Sequence, residues 1–327
     1  MKSIIQHIKS WPASCLCFTV CLLLLSGSCF AQSDSAAVTN IKALPVKAKI
    51  KPAKNTFQSV WIIDNQTVMV PVKGTFEMDI MHRFGTVVKG YKDFWGFFAP
   101  SNIRLGVSYS PINKLYVGLG ITKNKMLWDA SAKYAIITQT KNKYPVSISY
   151  YANVAYDTRE DADNSLFKYQ SQRMSFFNQL LIARKFTDKL SIQIAPSISH
   201  QNSVEGYYTK NDSTGKQTFN GMKHDHIAVA VSARYKITNI TSFMVNYDQP
   251  ITKHNTFNPN PNLSFGVEFN TSGHSFQLFF TNYALLNPQQ NNLYNTNNPI
   301  GYTNNLTGTK VDGGQFLIGF NITRLWN

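Results

Sequence analysis

The histidines of this sequence are the residues whose spacing comes nearest to a metal site. His224-Asp225-His226 is the densest group, and His200 lies in the extended segment before it. Zinc in proteins takes three or four protein ligands that converge on one point. His224 and His226 alternate onto one face of an extended segment, whereas His200 falls on the other face. We therefore predict a hydrogen-bonded histidine pair and no metal.

Candidates for hydrolytic chemistry lie far apart in the sequence. A nucleophile needs a base within hydrogen-bonding reach and a third group that orients this base. His274-Ser275 and the pair His200 and Ser203 lack a recognisable third group. A protease that activates water would have to assemble its acids and base through loop folding, from Asp161, Asp163, Asp225 and His226. We predict that the protein is not an enzyme, has no catalytic residues and binds no cofactor.

Most other charged residues recur at alternate positions of extended segments. Within residues 75–84, Glu77, Asp79 and Arg83 share one face and apolar residues such as Phe76 lie on the other. Along the chain, the candidate lumen-lining residues on this face are Glu77, Asp79, Arg83, Arg104, Asp129, Lys133, Arg234, Lys236, Asp248 and Glu268. Because both signs are present, a lumen with this lining is not expected to select strongly for ion charge.

Alternation of apolar and polar residues also predicts the elements that carry these faces. A period of two over eight or more residues is typical of half-buried β-strands. It predicts about twelve strands, at 75–84, 102–110, 114–122, 126–139, 144–157, 172–186, 189–201, 226–237, 240–250, 261–271, 273–283 and 314–326. Pro196 lies inside one of them and cannot donate to the strand ladder, which predicts a bulge or kink.

The connections between these strands alternate between short and long. Short ones lie near 111–113, 140–143, 187–188, 239 and 272, long ones span 85–100, 158–171, 202–223, 251–260 and 284–313, and 123–125 is a short exception. Transmembrane barrels have short periplasmic turns and long external loops. The predicted fold class is therefore all-β, an antiparallel transmembrane β-barrel of about twelve strands. The alternative, a soluble β-sandwich, gives no reason for this sorting of loop lengths.

The N-terminal residues have the pattern of a secretory signal. Lys2 and Lys9 precede an apolar run from Leu16 to Leu25. We predict a cleaved signal peptide over residues 1–31, because the run is short for the alternative, a membrane anchor. All four cysteines lie in this segment, at Cys15, Cys17, Cys21 and Cys29. The lysine-rich residues 32–56 predict a flexible basic tail.

Three segments outside the predicted strands allow more than one interpretation. Residues 57–72 contain two short β-like pieces around Asp64-Asn65 and fit a periplasmic hairpin, a plug element or an extra strand pair. The aromatic loop 85–100 fits packing on the barrel rim or in the outer leaflet better than an inward constriction. The asparagine-rich loop 284–313 is predicted to be a solvated surface loop.

One short motif resembles a known family. The His-Arg-Phe-Gly sequence at 82–85 is similar to the opening of a Bacteroidetes-type family of outer-membrane β-barrel domains of unknown function. The Ile-Arg-Leu-Gly sequence at 103–106 and Pro-Val at 145–146 are similar to it as well. The resemblance implies a barrel domain over residues 57–327 and no assigned activity.

The predicted lumen face is rich in small residues, including Gly106, Ser108, Gly118, Gly120, Ser149, Ala230 and Ser264. Small side chains leave space, so we predict a passive or gated channel for small solutes. Two alternatives stay open: a structural or surface-interaction barrel with a plugged lumen, and an outer-membrane hydrolase that acts on lipid or peptide.

Location and partners follow from the same pattern. The predicted location is the outer membrane of a Gram-negative bacterium. Expected partners are outer-membrane lipids, the barrel assembly machinery during biogenesis and small solutes. The formal net charge of +15 does not indicate nucleic acid, because an exported protein rarely meets any.

Overall fold

The computed structural model describes residues 52–53, 56–210, 217–256, 258–303 and 310–327. The predicted signal peptide and all but three residues of the predicted basic tail lie outside this part of the chain. In chain order the strands are β1 (Trp61–Ile62), β2 (Asn65–Gln66), β3 (Phe76–Thr86), β4 (Asn102–Ile112), β5 (Leu115–Thr122), β6 (Leu127–Ile137), β7 (Ser147–Asp157), β8 (Met174–Lys185), β9 (Leu190–Gln201), β10 (Gly206–Lys210), β11 (Gln217–Gly221), β12 (Asp225–Lys236), β13 (Thr241–Pro250), β14 (Asn262–Asn270), β15 (His274–Thr281), β16 (Tyr302–Thr303), β17 (Lys310–Val311) and β18 (Leu317–Trp326). A one-turn helix, α1 (Pro288–Asn291), precedes β16.

Twelve of these strands form a closed antiparallel barrel. The wall runs β3 to β9 and β12 to β15 in order, and β18 pairs with β3 to close it. The closing pair joins Trp326 to Phe76 at one end and Leu317 to Thr86 at the other. Closure leaves the wall without an unpaired edge, which a sheet in hydrocarbon requires. The prediction of about twelve antiparallel barrel strands is confirmed.

The two faces of the wall differ as the period of two predicts. Outward side chains such as Leu119, Val107 and Phe280 are exposed, whereas inward ones such as Arg104 are buried. An outer surface this rich in exposed apolar side chains is compatible with lipid. Exposed aromatic residues mark the end with the short turns: Tyr109, Tyr134, Tyr235 and Trp326. The described residues contain no helix with the length and hydropathy needed to span a membrane.

The connections sort by length as predicted. We call the end with turns 113–114, 138–146, 186–189, 237–240 and 271–273 the short-turn end, and the opposite end the long-loop end. The long loops contain two strand pairs that alternation did not predict, β10 with β11 and β16 with β17.

Pro196 interrupts the ladder without shifting it. Pairing between β8 and β9 passes from Gln179↔Ser197 to Ile182↔Ile194, so two pairs are missing while the register is unchanged. On its other side Pro196 still pairs with Val229 of β12. The missing N–H of Pro196 therefore removes ladder hydrogen bonds between β8 and β9. The register shows no bulge at this position.

Candidate functional site

Residues 56–72, which we call the plug, lie mostly inside the barrel, and Val72 at its end is exposed. Val60, Ile62, Ile63 and Thr67 are almost completely buried. The plug is a tight hairpin of β1 and β2, and Ile63 at its turn has a φ of 58°. Of the three interpretations of this segment, the plug element is the one that the structure shows.

Charged and amide side chains hold the tip of the plug. Asp64 accepts from Arg83 of β3 at 2.5 Å, and both side chains are buried. The Nδ2 of Asn65 donates to Asn246 at 2.9 Å and to Asp248 at 2.8 Å, both on β13. These contacts fix the tip to two strands that lie four places apart in the ring of twelve.

Long neutral side chains of the wall bond the plug backbone. Ile63 N–H donates to Gln277 at 3.1 Å, and Val68 N–H donates to Gln193 at 3.0 Å. Asn321 donates to the carbonyl of Ile63 at 2.6 Å. Backbone groups buried in a lumen need such partners, because water cannot reach them. The wall side chains are therefore matched to an extended segment.

The plug also has an apolar side. Phe57, Ile62, Ile63 and Val68 belong to a buried cluster with wall residues that include Tyr151, Phe177, Leu181, Met244 and Phe279. The interface between plug and wall is thus mixed, with hydrogen bonds on several strands and an apolar cluster between them.

The candidate lumen-lining residues occupy the interior of the wall. Nine of the ten are buried, and Lys236, at the short-turn mouth, is half-buried. Arg104 lies between Asp79 at 2.9 Å and Asp129 at 2.8 Å. Arg234 pairs with Glu268 at 2.8 Å. Their role as the lining of a water-filled path stays a prediction.

Two wall cations, Lys133 and Arg83, depend on the plug for partners. Lys133 donates to the side chain of Gln66 at 2.8 Å and to the carbonyl of Thr67 at 3.0 Å. Arg83 bonds Asp64 of the plug. Arg234 also donates to Gln58 of the plug, but it has Glu268 of the wall as a second partner. Withdrawal of the plug would leave Lys133 and Arg83 without those partners.

The small residues of the wall make room for other groups. A Cβ on Gly120 would lie 2.2 Å from a guanidinium nitrogen of Arg104, and one on Gly106 would lie 2.5 Å from the carboxylate of Asp79. The space that the sequence predicted is thus filled, here by a buried ion network and elsewhere by the plug.

Residues 282–298, which we call the lid, cover the long-loop end. The Nε2 of Gln289 donates to Asn153 at 2.5 Å, and its carbonyl accepts from Gln201 at 3.0 Å. The Asn262 amide donates to Asn292 at 2.9 Å. Several lid asparagines are buried, among them Asn287, Asn291, Asn292, Asn295 and Asn298. The prediction of a solvated loop is therefore wrong for this part of 284–313, because its amides bond the strand ends.

The histidine pair in the structure differs from the pair that the sequence predicted. His226 lies 2.9 Å from His254, between Nδ1 and Nε2. His200 instead contacts Asp225 at 2.7 Å, and His224 contacts the carbonyl of Gln201 at 2.6 Å. In the described ranges no three potential metal ligands converge. Sequence reasoning missed His254, which lies in a loop without a periodic pattern.

Hydrogen bonds define the protonation of the buried pair. The backbone N–H of Lys223 donates to Nδ1 of His254 at 3.0 Å. The Nε2 of a neutral His254 therefore carries the proton and donates to His226. Burial lowers the pKa of His254, and nearby Lys223 lowers it further.

Of the groups considered for hydrolysis, His200 and Asp225 contact each other at the rim, whereas His274 and Ser275 point to opposite faces of the wall. His274 contacts Arg324 at 2.5 Å on the outside of the wall, whereas Ser275 is buried on its inside. Asp161 accepts backbone N–H bonds from Leu166 and Phe167, and these bonds lower its pKa. Its role is to hold its own loop.

The aromatic loop at the rim points away from the lumen. Tyr91 and Phe98 are both 82% exposed, and Phe97 contacts Phe84 of β3 with ring centroids 4.3 Å apart. This places the loop beside the lipid-facing surface. An inward constriction by these aromatics is therefore wrong.

A closed lipid-facing wall with sorted loops defines an outer-membrane β-barrel, with the short-turn end in the periplasm and the long-loop end outside. The chain belongs to the family described as membrane bound beta barrel domain (DUF5777), whose model matches residues 57–326. No match was found among curated protein sequences.

Solved structures with a similar fold are distant in sequence. The NanC porin has 10% identity, a TM-score of 0.43, and coverage of 76% of this chain and 98% of its own. An outer membrane channel from Pseudomonas putida F1 has 11% identity, a TM-score of 0.43, and coverage of 79% and 97%. The CymD monoaromatic hydrocarbon channel has 9% identity, a TM-score of 0.36, and coverage of 79% and 90%.

Proposed function

We propose that the protein is a gated channel for small polar solutes, closed in this structure by the plug and the lid. The observation that carries the proposal is that the wall is complete without the plug. The twelve strands pair with one another in a closed ring. Arg104 and Arg234 find their carboxylates on the wall.

The path of the chain supports withdrawal of the plug toward the periplasm. The plug continues on one side into β3, which begins at the short-turn end at Phe76. On the other side Pro52 pairs with Thr140, which lies in the short turn between β6 and β7. Both ends of the plug thus leave by the same mouth, so the hairpin can move out without threading through the barrel.

Conductance of the folded protein in planar bilayers tests this proposal. We expect rare openings from the full chain and frequent openings from a variant that lacks residues 57–70. A third variant, Asn65→Cys with Asn246→Cys, pins the plug to β13 when a short bifunctional thiol reagent bridges the two residues. Bridging should abolish the openings, and the unbridged variant should keep them.

Two outcomes contradict the proposal. Openings that persist after bridging would mean that ions pass elsewhere. Silence from the full chain, combined with conductance from the deletion, would make the plug a permanent filler. The apolar cluster around Ile62 and Ile63 favours this second function, a structural or surface-interaction barrel.

A further inference from the structure

Positive charge is concentrated at the short-turn end. The cationic side chains around this mouth are Lys73, Lys114, Lys141, Lys143, Arg184, Lys185, Lys189, Lys236 and Arg324. Asp188 is the one acidic side chain that the described residues place there outside the lumen, and it lies 3.6 Å from Lys185. The long-loop end carries both signs, with acids that include Asp93, Asp157, Glu160, Asp161, Asp163, Glu205, Asp225 and Asp312.

Three of these cations border one cleft. It has a volume of about 490 Å³ and lies between the turn 138–146 and the end of β8, with Lys141, Lys143 and Arg184 in its lining. No carboxylate contributes to the lining given by the described residues. A cleft with three cations and no acid is complementary to an anion.

The cleft lies at headgroup depth on the lipid-facing side. Leu181 and Ala183 point into the lumen, so Arg184 points outward. The Arg184 guanidinium lies 5.1 Å from the ring centroid of Phe186, and the Lys143 ammonium lies 5.0 Å from that of Tyr144. Both rings are exposed, and exposed aromatics of barrels lie at the membrane interface.

Hydrogen bonds fix the floor of the cleft. The Gln139 side chain donates to the carbonyl of Lys185 at 3.0 Å and accepts from its N–H at 2.8 Å. The carbonyl of Gln139 accepts from Ala53 at 2.7 Å. Thr140 N–H donates to the carbonyl of Tyr144 at 2.9 Å. The turn that carries both lysines is therefore held against β8.

We propose that this cleft binds the phosphate of an anionic phospholipid in the periplasmic leaflet. A planar guanidinium presents paired donors to phosphate, and lysines add point charges. The acyl chains would lie along the apolar outer wall next to Phe186. Each cation near a charged membrane surface contributes about fivefold in affinity, so three account for clear selectivity over zwitterionic lipid.

The test uses the folded full chain in nanodiscs of equal parts phosphatidylglycerol and phosphatidylcholine. After transfer to a neutral detergent, mass spectrometry measures the ratio of the two lipids that stay bound. We expect enrichment of phosphatidylglycerol for the unaltered protein. Enrichment should fall at least about tenfold in the triple variant Lys141→Gln, Lys143→Gln, Arg184→Gln.

A matched triple variant, Lys73→Gln, Lys114→Gln, Lys189→Gln, removes the same charge from the same rim outside the cleft and should keep most of the enrichment. Heat-modifiable migration on gels verifies that each variant is folded. Equal losses in the two triples would overturn the proposal in favour of a diffuse charged rim. Absence of enrichment in the unaltered protein would also overturn it, and sedimentation with purified peptidoglycan would then assign the rim to the cell wall.

Discussion

At the scale of single residues, Arg104 shows how charge is kept inside the wall. Its guanidinium contacts two carboxylates, Asp79 of β3 and Asp129 of β6, and all three side chains are almost completely buried. Removal of one partner from such a group leaves uncompensated charge, which costs about 3–5 kcal/mol. Once the two acids are present, the fold therefore needs the arginine, whatever the whole network contributes to the free energy of unfolding.

We expect Arg104→Gln to lower the midpoint of urea unfolding strongly, because Asp79 and Asp129 lose their common partner. Arg159→Gln is the matched control, since Arg159 pairs with Asp157 at the rim and its side chain is 34% exposed. An exposed pair contributes about 1 kcal/mol or less. Equal effects of the two substitutions would show that the buried acids do not depend on Arg104.

A second residue-scale prediction concerns His254 and pH. Its pKa lies below the usual 6.5, because burial and Lys223 disfavour the charged form. An unfolded loop would take up a proton as the pH falls through about 6.5 while the folded loop would not, so the loop loses stability toward acid. The protection factors of residues 251–256, which correct amide exchange for its intrinsic rate at each pH, should therefore fall as the pH is lowered from about 7.5 to about 5.5. His254→Gln should remove this pH dependence of the protection factors, and an unchanged profile would contradict the assignment.

At the scale of elements, the aromatic loop depends on one glycine contact. Gly96 has a φ of +86°, and a Cβ there would lie 2.2 Å from the carbonyl oxygen of Gly85. Gly90 has a φ of +56°, but open space surrounds the position of its Cβ. A positive φ strains an L side chain at both positions, and at Gly96 the side chain would also clash with the backbone of Gly85.

We expect Gly96→Ala to detach the aromatic loop from the rim and Gly90→Ala to have a smaller effect. Chymotrypsin cleavage at residues 91–98 in proteoliposomes measures the difference, because the backbone of a detached loop can adopt the extended conformation that the protease requires. Equal cleavage of the two variants would mean that the contact with Gly85 does not hold the loop.

The elements also show what the sequence could predict. Barrel strands follow from alternation, because lipid and lumen demand opposite side chains at successive positions. The plug and the lid do not, because both bury polar residues such as Asn65 and Gln289 that usually indicate solvent. Their burial depends on partners far away in sequence, for example Gln277 for the backbone of Ile63. Local pattern carries no information about such pairs.

At the scale of the whole molecule, the interior charges determine what ion selectivity the proposed channel should have. The ten candidate lumen-lining residues carry five cations and five acids: Arg83, Arg104, Lys133, Arg234 and Lys236 against Glu77, Asp79, Asp129, Asp248 and Glu268. A balanced lining does not favour one sign of ion. The concentration of positive charge lies instead at the periplasmic mouth.

We expect the barrel without residues 57–70 to have a reversal potential near zero under a salt gradient. Arg83→Gln with Lys133→Gln should make the same barrel cation-selective, because these two cations lose their plug partners on deletion and then face the open path. Lys89→Gln with Lys92→Gln removes equal charge from the outer loop and is the control. A strongly anion-selective deletion variant would contradict the balanced lining.

The plug has a further consequence, for the order of events during biogenesis. It leads the folded part of the chain, while β18, the last strand, closes the seam against β3. Asn321 of β18 donates to the carbonyl of Ile63 and accepts from the guanidinium of Arg83. The last strand therefore contacts the plug as well as β3. We therefore expect the plug to occupy the lumen before β18 pairs with β3. A chain truncated before Leu317 should already protect residues 56–72 from protease, and free digestion of this segment would reverse that order.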